Sequence, residues 1–204
     1  MLQEERRREA REAEENLRVI RDLMERSTKY STFAGVSGIL AGIASIVGCL
    51  ATSTLERARP TTGEFPFCFL LVWSLVIVFA LGADYLRNKR RAARVGKHVI
   101  SRLGKQMLLG SAPGLGTGVL LTLFFLRHGL LAYIYPVWML CYGIAVCAVG
   151  QFSQREVSYL GAAFLWIGTM TLLLPQEWGL LMMAVSFGGF HILYGILMAQ
   201  RDGW

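Results

Sequence analysis

The sequence carries little charge for its length. Only 17% of its 204 residues are Asp, Glu, Lys or Arg, against roughly a quarter in soluble domains, while 54% are hydrophobic. That shortage excludes an ordinary soluble globule. Cysteine is also sparse, with four residues and no Cys-x-x-Cys spacing, which excludes a disulfide scaffold and a thiolate zinc site. Missing too are Gly-x-Ser-x-Gly, a Walker loop, His-Glu-x-x-His, a dinucleotide fingerprint and any pair of carboxylates within one apolar run. No enzyme is expected from such a chain.

What the sequence has in abundance is long apolar runs. Six of them, Phe33 to Thr54, Pro66 to Leu86, Met107 to Leu126, Gly129 to Gly150, Val157 to Leu174 and Trp178 to Ala199, are each long enough to cross a hydrocarbon layer of ~30 Å as one helix. The spacing predicts an all-α bundle of six transmembrane helices over 33–199. A charged, amphipathic helix over 1–32 precedes it, a basic loop helix over 87–106 interrupts it, and a tail over 200–204 follows. Only Arg127 and His128 separate the third and fourth spans, so these two form a tight hairpin.

Orientation follows from the basic residues. Of 21, eighteen fall on one side of the membrane and three on the other if the leader and the tail share a side, which places both termini in the cytosol by the positive-inside rule. Tyr30, Tyr85 and Tyr159 then stand as aromatic anchors at the inner boundary, and Tyr133, Tyr135 and Trp178 toward the outer one. Between the spans on the outer side lie only Leu55 to Phe65 and two short turns, too little for a receptor domain. The bilayer and the cytosolic face are left as the places for function. The first span is expected to remain as an anchor, because its charged leader is far longer than that of a secretory signal. Ile46-Val47-Gly48-Cys49 spells a lipoprotein-like box, but so deep in the chain it reads as core packing.

In the leader, Ala10, Ala13, Leu17, Ile20, Met24, Ser27 and Ser31 follow a three-and-four spacing, a short heptad seam. Leu17, Ile20 and Met24 are its candidate docking residues for a cytosolic or membrane protein partner. The same seam is also satisfied by folding onto the lipid surface or onto the basic loop. That loop, Arg87 to Gln106, has eight basic residues and no acidic one. Arg90, Arg91, Arg94 and Lys97 are expected to hold it along the anionic inner leaflet. Nucleic acid is not expected as a partner, since no aromatic side chain interrupts the loop to stack on a base. Val19-Ile20-x-x-Leu23 and Val99-Ile100-x-x-Leu103 form a faint internal echo of the kind found in transporters built from repeats.

Within the membrane, Ala34, Gly38 and Gly42, and separately Gly110, Gly114 and Gly118, form small-residue stripes that let helix backbones approach closely. They join helices of one chain or of a homo-oligomer. Pro113 beside Gly114 and Gly116 either kinks the third span or breaks it to line a substrate path. His191 is the one histidine inside a span, near its middle, and intramembrane ionisable groups are functional suspects. Helical spacing puts it on one face with Ala184, Gly188 and Gly195. Two readings follow. Either His191 makes a hydrogen bond across a tight seam, to Tyr142, Ser186 or Thr169, or Gly188 and Gly195 clear room for a flat cofactor such as haem with His191 as axial ligand. No cofactor or metal is expected on balance. Asp84 and Glu177 lie at span ends, which leaves no mid-membrane carboxylate for proton or sodium coupling. Cys49 and Cys68 fall near the outer edge of adjacent spans, where a disulfide is geometrically allowed, and Cys141 and Cys147 read as packing residues.

At Asn16-Leu17-Arg18-Val19-Ile20-Arg21-Asp22-Leu23-Met24-Glu25-Arg26-Ser27, with Phe33 and Gly38 at the mouth of the first span, the chain resembles a group of uncharacterised bacterial multi-pass inner-membrane proteins that open with an Ile-Arg-x-x-Met-Glu-Arg-Ser leader. The resemblance implies a bacterial cytoplasmic-membrane location and a six-span topology, and no activity. The function expected is that of a non-enzymatic scaffold, accessory subunit or sensor acting through its cytosolic face. The rivals are a small-solute transporter or channel, and a haem- or quinone-binding redox subunit built on His191.

Overall fold

The computed structural model describes residues 7–8, 11–20, 35–58, 64–95 and 102–202, with the backbone alone at 87, 88, 90–95, 102, 103 and 202. Met24, Ala34 and Lys97 lie outside the described residues. Residues 11–20 are helical, as the run of Glu, Arg and Ala favours, and every one of them is exposed. They belong to a unit separate from the body that begins at Phe33.

In that body the elements are α1 (Gly35–Ala58), α2 (Phe65–Val95), α3 (Arg102–His128), α4 (Ile134–Gly150), α5 (Arg155–Leu173), α6 (Gly179–Met183) and α7 (His191–Asp202). A π-helical segment, Ala184–Phe190, joins α6 to α7, so the three run on as a single sixth span. Among the described residues six helices are long and apolar enough to cross a membrane: Gly35–Ala58, Phe65–Leu86, Gly104–His128, Leu131–Gly150, Arg155–Leu173 and Gln176–Arg201. Each covers one of the runs expected from sequence, because a bilayer-length apolar run has no other way to satisfy its peptide groups in lipid.

The packing order is not the chain order. α2 packs on α1, α1 on the sixth span, the sixth span on α4 and α5, and α3 on α4. The innermost side chains, Ile134, Tyr135, Met139 and Phe164, come from α4 and α5, with Met183 of α6 beside them. Several Ser and Thr hydroxyls in the spans turn back on their own helices. Ser45 donates to the Ala41 carbonyl at 2.9 Å, Thr52 to Gly48 at 2.9 Å and Thr171 to Ile167 at 2.7 Å. Such i to i−4 bonds remove a hydroxyl from lipid without a second helix.

One expectation changes, and one pair of alternatives is decided. The basic stretch after Leu86 continues α2 to Val95 without a break, so 87–95 extends the span, where a separate loop helix over 87–106 was expected. No Gly or Pro occurs between Arg87 and Val95 to stop the ladder, and the first breaker in sequence is Gly96. The third span is not broken either: α3 runs through Pro113, and Thr117 Oγ1 donates to the Pro113 carbonyl at 2.8 Å. The hairpin expected at its end is present. Gly129 takes φ of 69°, a left-handed conformation natural to glycine, and Leu130 N–H closes on the Phe125 carbonyl at 2.9 Å.

Candidate site around His191 and Tyr142

The site grows out of the glycine seams. On α1, a Cβ added to Gly42 would come 2.6 Å from the Gly188 carbonyl oxygen, and one added to Gly38 would come 3.3 Å from the Gly195 Cα. On the facing span, a Cβ at Gly195 would meet the Gly35 carbonyl oxygen at 2.7 Å, and one at Gly188 would meet Ile46 Cγ1 at 2.5 Å. The two backbones are therefore in contact, and only glycine fits where they cross. The second stripe does the same for α3 and α4: a Cβ at Gly114 would lie 2.8 Å from the Cys141 carbonyl oxygen, and Gly118 faces Cys141 and Trp138. Gly110 looks toward Ala148 at ordinary contact distance. Gly38 and Gly42, and Gly110, Gly114 and Gly118, are thus engaged within one chain.

A third seam was not read from sequence. Gly161 lies against Cys147, Gly143 against Leu165, Gly168 against Met139 and Leu140, and Gly150 against Ser158, which brings α4 and α5 together along their length. Its signal was available: Gly143 and Gly150, like Gly161 and Gly168, are seven residues apart and so share a helix face.

With α1 drawn onto the sixth span and α5 drawn onto α4, His191 at the start of α7 meets both α4 and α5. Tyr142 Oη and His191 Nε2 are 2.7 Å apart. With the ring proton on Nδ1, Tyr142 donates; with it on Nε2, the imidazole donates to the phenol oxygen. Nδ1 is buried and makes no hydrogen bond of ordinary geometry, and the peptide groups of Ser186 and Phe187 in the π segment are the polar neighbours beside it. Tyr194, one turn along α7, lies close enough to Tyr142 to interact electrostatically.

Aromatic rings box the pair in. Phe164 presents its edge to Tyr142 at 4.8 Å and to Phe187 at 4.9 Å, and the Phe187 ring stacks nearly parallel to the imidazole, 12° off at 6.0 Å. Of the three partners expected for His191, Tyr142 is the one found. Thr169 donates to the Leu165 carbonyl and Ser186 to that of Met183.

The alternative in which Gly188 and Gly195 clear room beside the imidazole for a flat cofactor is not met. Those glycines face α1, which fills the space with Ile46, Ile39 and the Gly35 carbonyl, whereas the ring reaches the other way to α4 and α5. For Gly188 the π segment contributes, since its extra residue per turn changes the phase against His191 that pure α spacing predicts; Gly195 follows His191 within α7, beyond that segment. A flat macrocycle does not fit at these glycines, and Nε2, the nitrogen that points into the bundle, is held by Tyr142. The residues present do not match a haem site.

Elsewhere, Trp138 Nε1 donates to Thr122 Oγ1 at 2.7 Å between α4 and α3. Tyr135 Oη donates to Glu56 Oε1 at 2.6 Å and is buried, so it ties α4 to the end of α1 and is not the lipid-facing anchor expected of it. Tyr85, Tyr133, Tyr159 and Trp178 are exposed, as anchors are. Arg201 pairs with Glu156 at 2.5 Å, linking the end of α7 to the start of α5. All four thiols are free, with Cys49 buried in the core. Among the described residues no three His, Cys, Asp or Glu side chains come together to hold a metal ion. Leu17 and Ile20, the leader's docking candidates, are 65% and 51% exposed, and Arg90, Arg91 and Arg94 lie on the extension of α2. No family model matches the chain, and neither a curated protein nor a solved structure matches it.

Proposed function

We propose that this chain is a non-enzymatic six-span protein of the bacterial cytoplasmic membrane, with both termini in the cytosol, that serves as a scaffold or accessory subunit for a protein partner. The observation that carries the reading is the exposure of Leu17, Val19 and Ile20 on the helix over 11–20, a set of apolar side chains outside the spans. The bundle supports it from the other side. Gly38, Gly42, Gly114, Gly188 and Gly195 are engaged in helix seams, and the one histidine inside a span, His191, is boxed by aromatic rings and bonded to Tyr142. The distribution of basic residues supports the orientation, and the leader's resemblance to bacterial inner-membrane proteins supports the location.

The deciding experiment compares what the full chain and a chain lacking residues 1–32 retain on purification from the same membranes. Loss of a stoichiometric partner with an unchanged unfolding midpoint is expected; retention of every partner sinks the reading. Orientation is checked separately. Cysteines introduced at Glu12 and Arg201 are expected to resist a membrane-impermeant maleimide in intact cells and to react after lysis.

A further inference from the structure

The continuation of α2 beyond the membrane gives the basic stretch a geometry that its composition alone does not. From Leu86 to Val95 the helix rises about 13 Å past the apolar run, at 1.5 Å per residue. The headgroup layer on each side of the hydrocarbon is about 5–7 Å deep. Positions 87, 90 and 91 therefore fall at the depth of lipid phosphates, with 94 one turn further out. At 100° per residue, 87, 90, 91 and 94 lie within an arc of about 100° on one helix face, and Lys89 falls on the opposite side. All four are arginines, and no acidic residue occurs between Arg87 and Gln106. Asp84, three residues before Arg87, sits near the same face and offsets one charge, which leaves three.

We infer that the face formed by Arg87, Arg90, Arg91 and Arg94 on the extension of α2 is a binding site for the phosphate of an anionic phospholipid. Arginine suits that ligand better than lysine, because its planar fork meets a phosphate in two parallel hydrogen bonds whereas an ammonium acts as a point charge. The helix register sets positions 87, 90, 91 and 94 on one face at a fixed rise from the apolar run, so the site is more than a diffuse attraction of positive charge to the leaflet. The inference rests on the proposed orientation only for which leaflet supplies the lipid.

The full chain is reconstituted in nanodiscs of phosphatidylcholine containing a minor fraction of phosphatidylglycerol, and the lipids it retains on release are read by native mass spectrometry. Lipid lies on both sides of a nanodisc, so the result stands whichever way maleimide labelling places the termini. Wild type is expected to retain phosphatidylglycerol in excess of its share. The relocated variant R90A/R91A/A92R/A93R keeps the net charge and the helix formers but moves two arginines off the face. It is expected to lose about fivefold in retention for each arginine moved. R90K/R91K/R94K is expected to fall between the two. Retention equal to wild type in the relocated variant would overturn the inference in favour of net charge alone. Displacement of the lipid by equimolar inorganic phosphate would overturn the lipid as the ligand.

Discussion

The seam between α1 and the sixth span and the seam between α1 and α2 share a helix and are built on opposite terms. In the first, backbones touch across Gly35, Gly38, Gly42, Gly188 and Gly195. In the second, large side chains lie over a single small residue: a Cβ at Gly48 would meet Val76 Cγ2 at 2.8 Å, and Phe69 and Trp73 pack nearby. α2 is the most apolar of the six spans and the least buried, with Leu71, Leu75, Val78 and Leu81 all exposed. Water would reverse that ranking. In lipid, apolar bulk brings no gain from leaving the solvent, so it goes outward, and cohesion passes to residues small enough for backbones to meet.

The sharpest way to break this comparison is to add bulk to the first seam. Gly195→Leu drives a side chain against the Gly35 carbonyl and the Ile39 amide, neither of which can rotate away, and is expected to cost about 3 kcal/mol or more in a steric-trap unfolding measurement. Removing bulk at the periphery gives the contrast. Leu75→Ala on α2 is expected to stay within about 0.5 kcal/mol of wild type. Equal effects of the two would erase the distinction between seam and edge.

A second test sharpens what holds the centre. Tyr142→Phe and His191→Phe should each lose about 1 kcal/mol, the scale of hydrogen bonds between membrane helices, and the double variant should cost less than their sum. Additive losses would mean that the 2.7 Å contact contributes nothing of its own. The smallest effect belongs to the rim. Glu156→Gln, which removes the solvent-exposed pair with Arg201, is expected to shift the unfolding free energy by less than about 0.5 kcal/mol at moderate salt.

The spans were legible because length and apolarity decide them with no help from tertiary context. The stripes of Gly38 and Gly42 and of Gly114 and Gly118 were legible as contact faces for the same reason, since a glycine repeat at helical spacing has little other use in lipid. Their partners were not legible. Nothing local to Gly42 says that Gly188, some 150 residues away, will lie over it. Tyr142 stood among the candidates for His191, but the phase of Gly188 against His191 was altered by a π segment that no motif announces. The rigid exit of α2 to Val95 was missed because a basic run reads as a surface loop unless the absence of a helix breaker is weighed against it.

The pairing of the first span with the last has a consequence for how the chain is made. α3 and α4 adjoin in sequence and can meet as soon as both have left the ribosome, closed by the turn at Gly129. α1 has no such neighbour for its small-residue face. Some 150 residues separate Gly38 from Gly188, and at 5–20 residues per second their synthesis takes roughly 8–30 s. For that interval the face of α1 that will bear a backbone-to-backbone contact stands open in the bilayer. Any chain cut short before the sixth span keeps it open, and so carries a mark by which membrane quality control can tell an unfinished copy from a finished one.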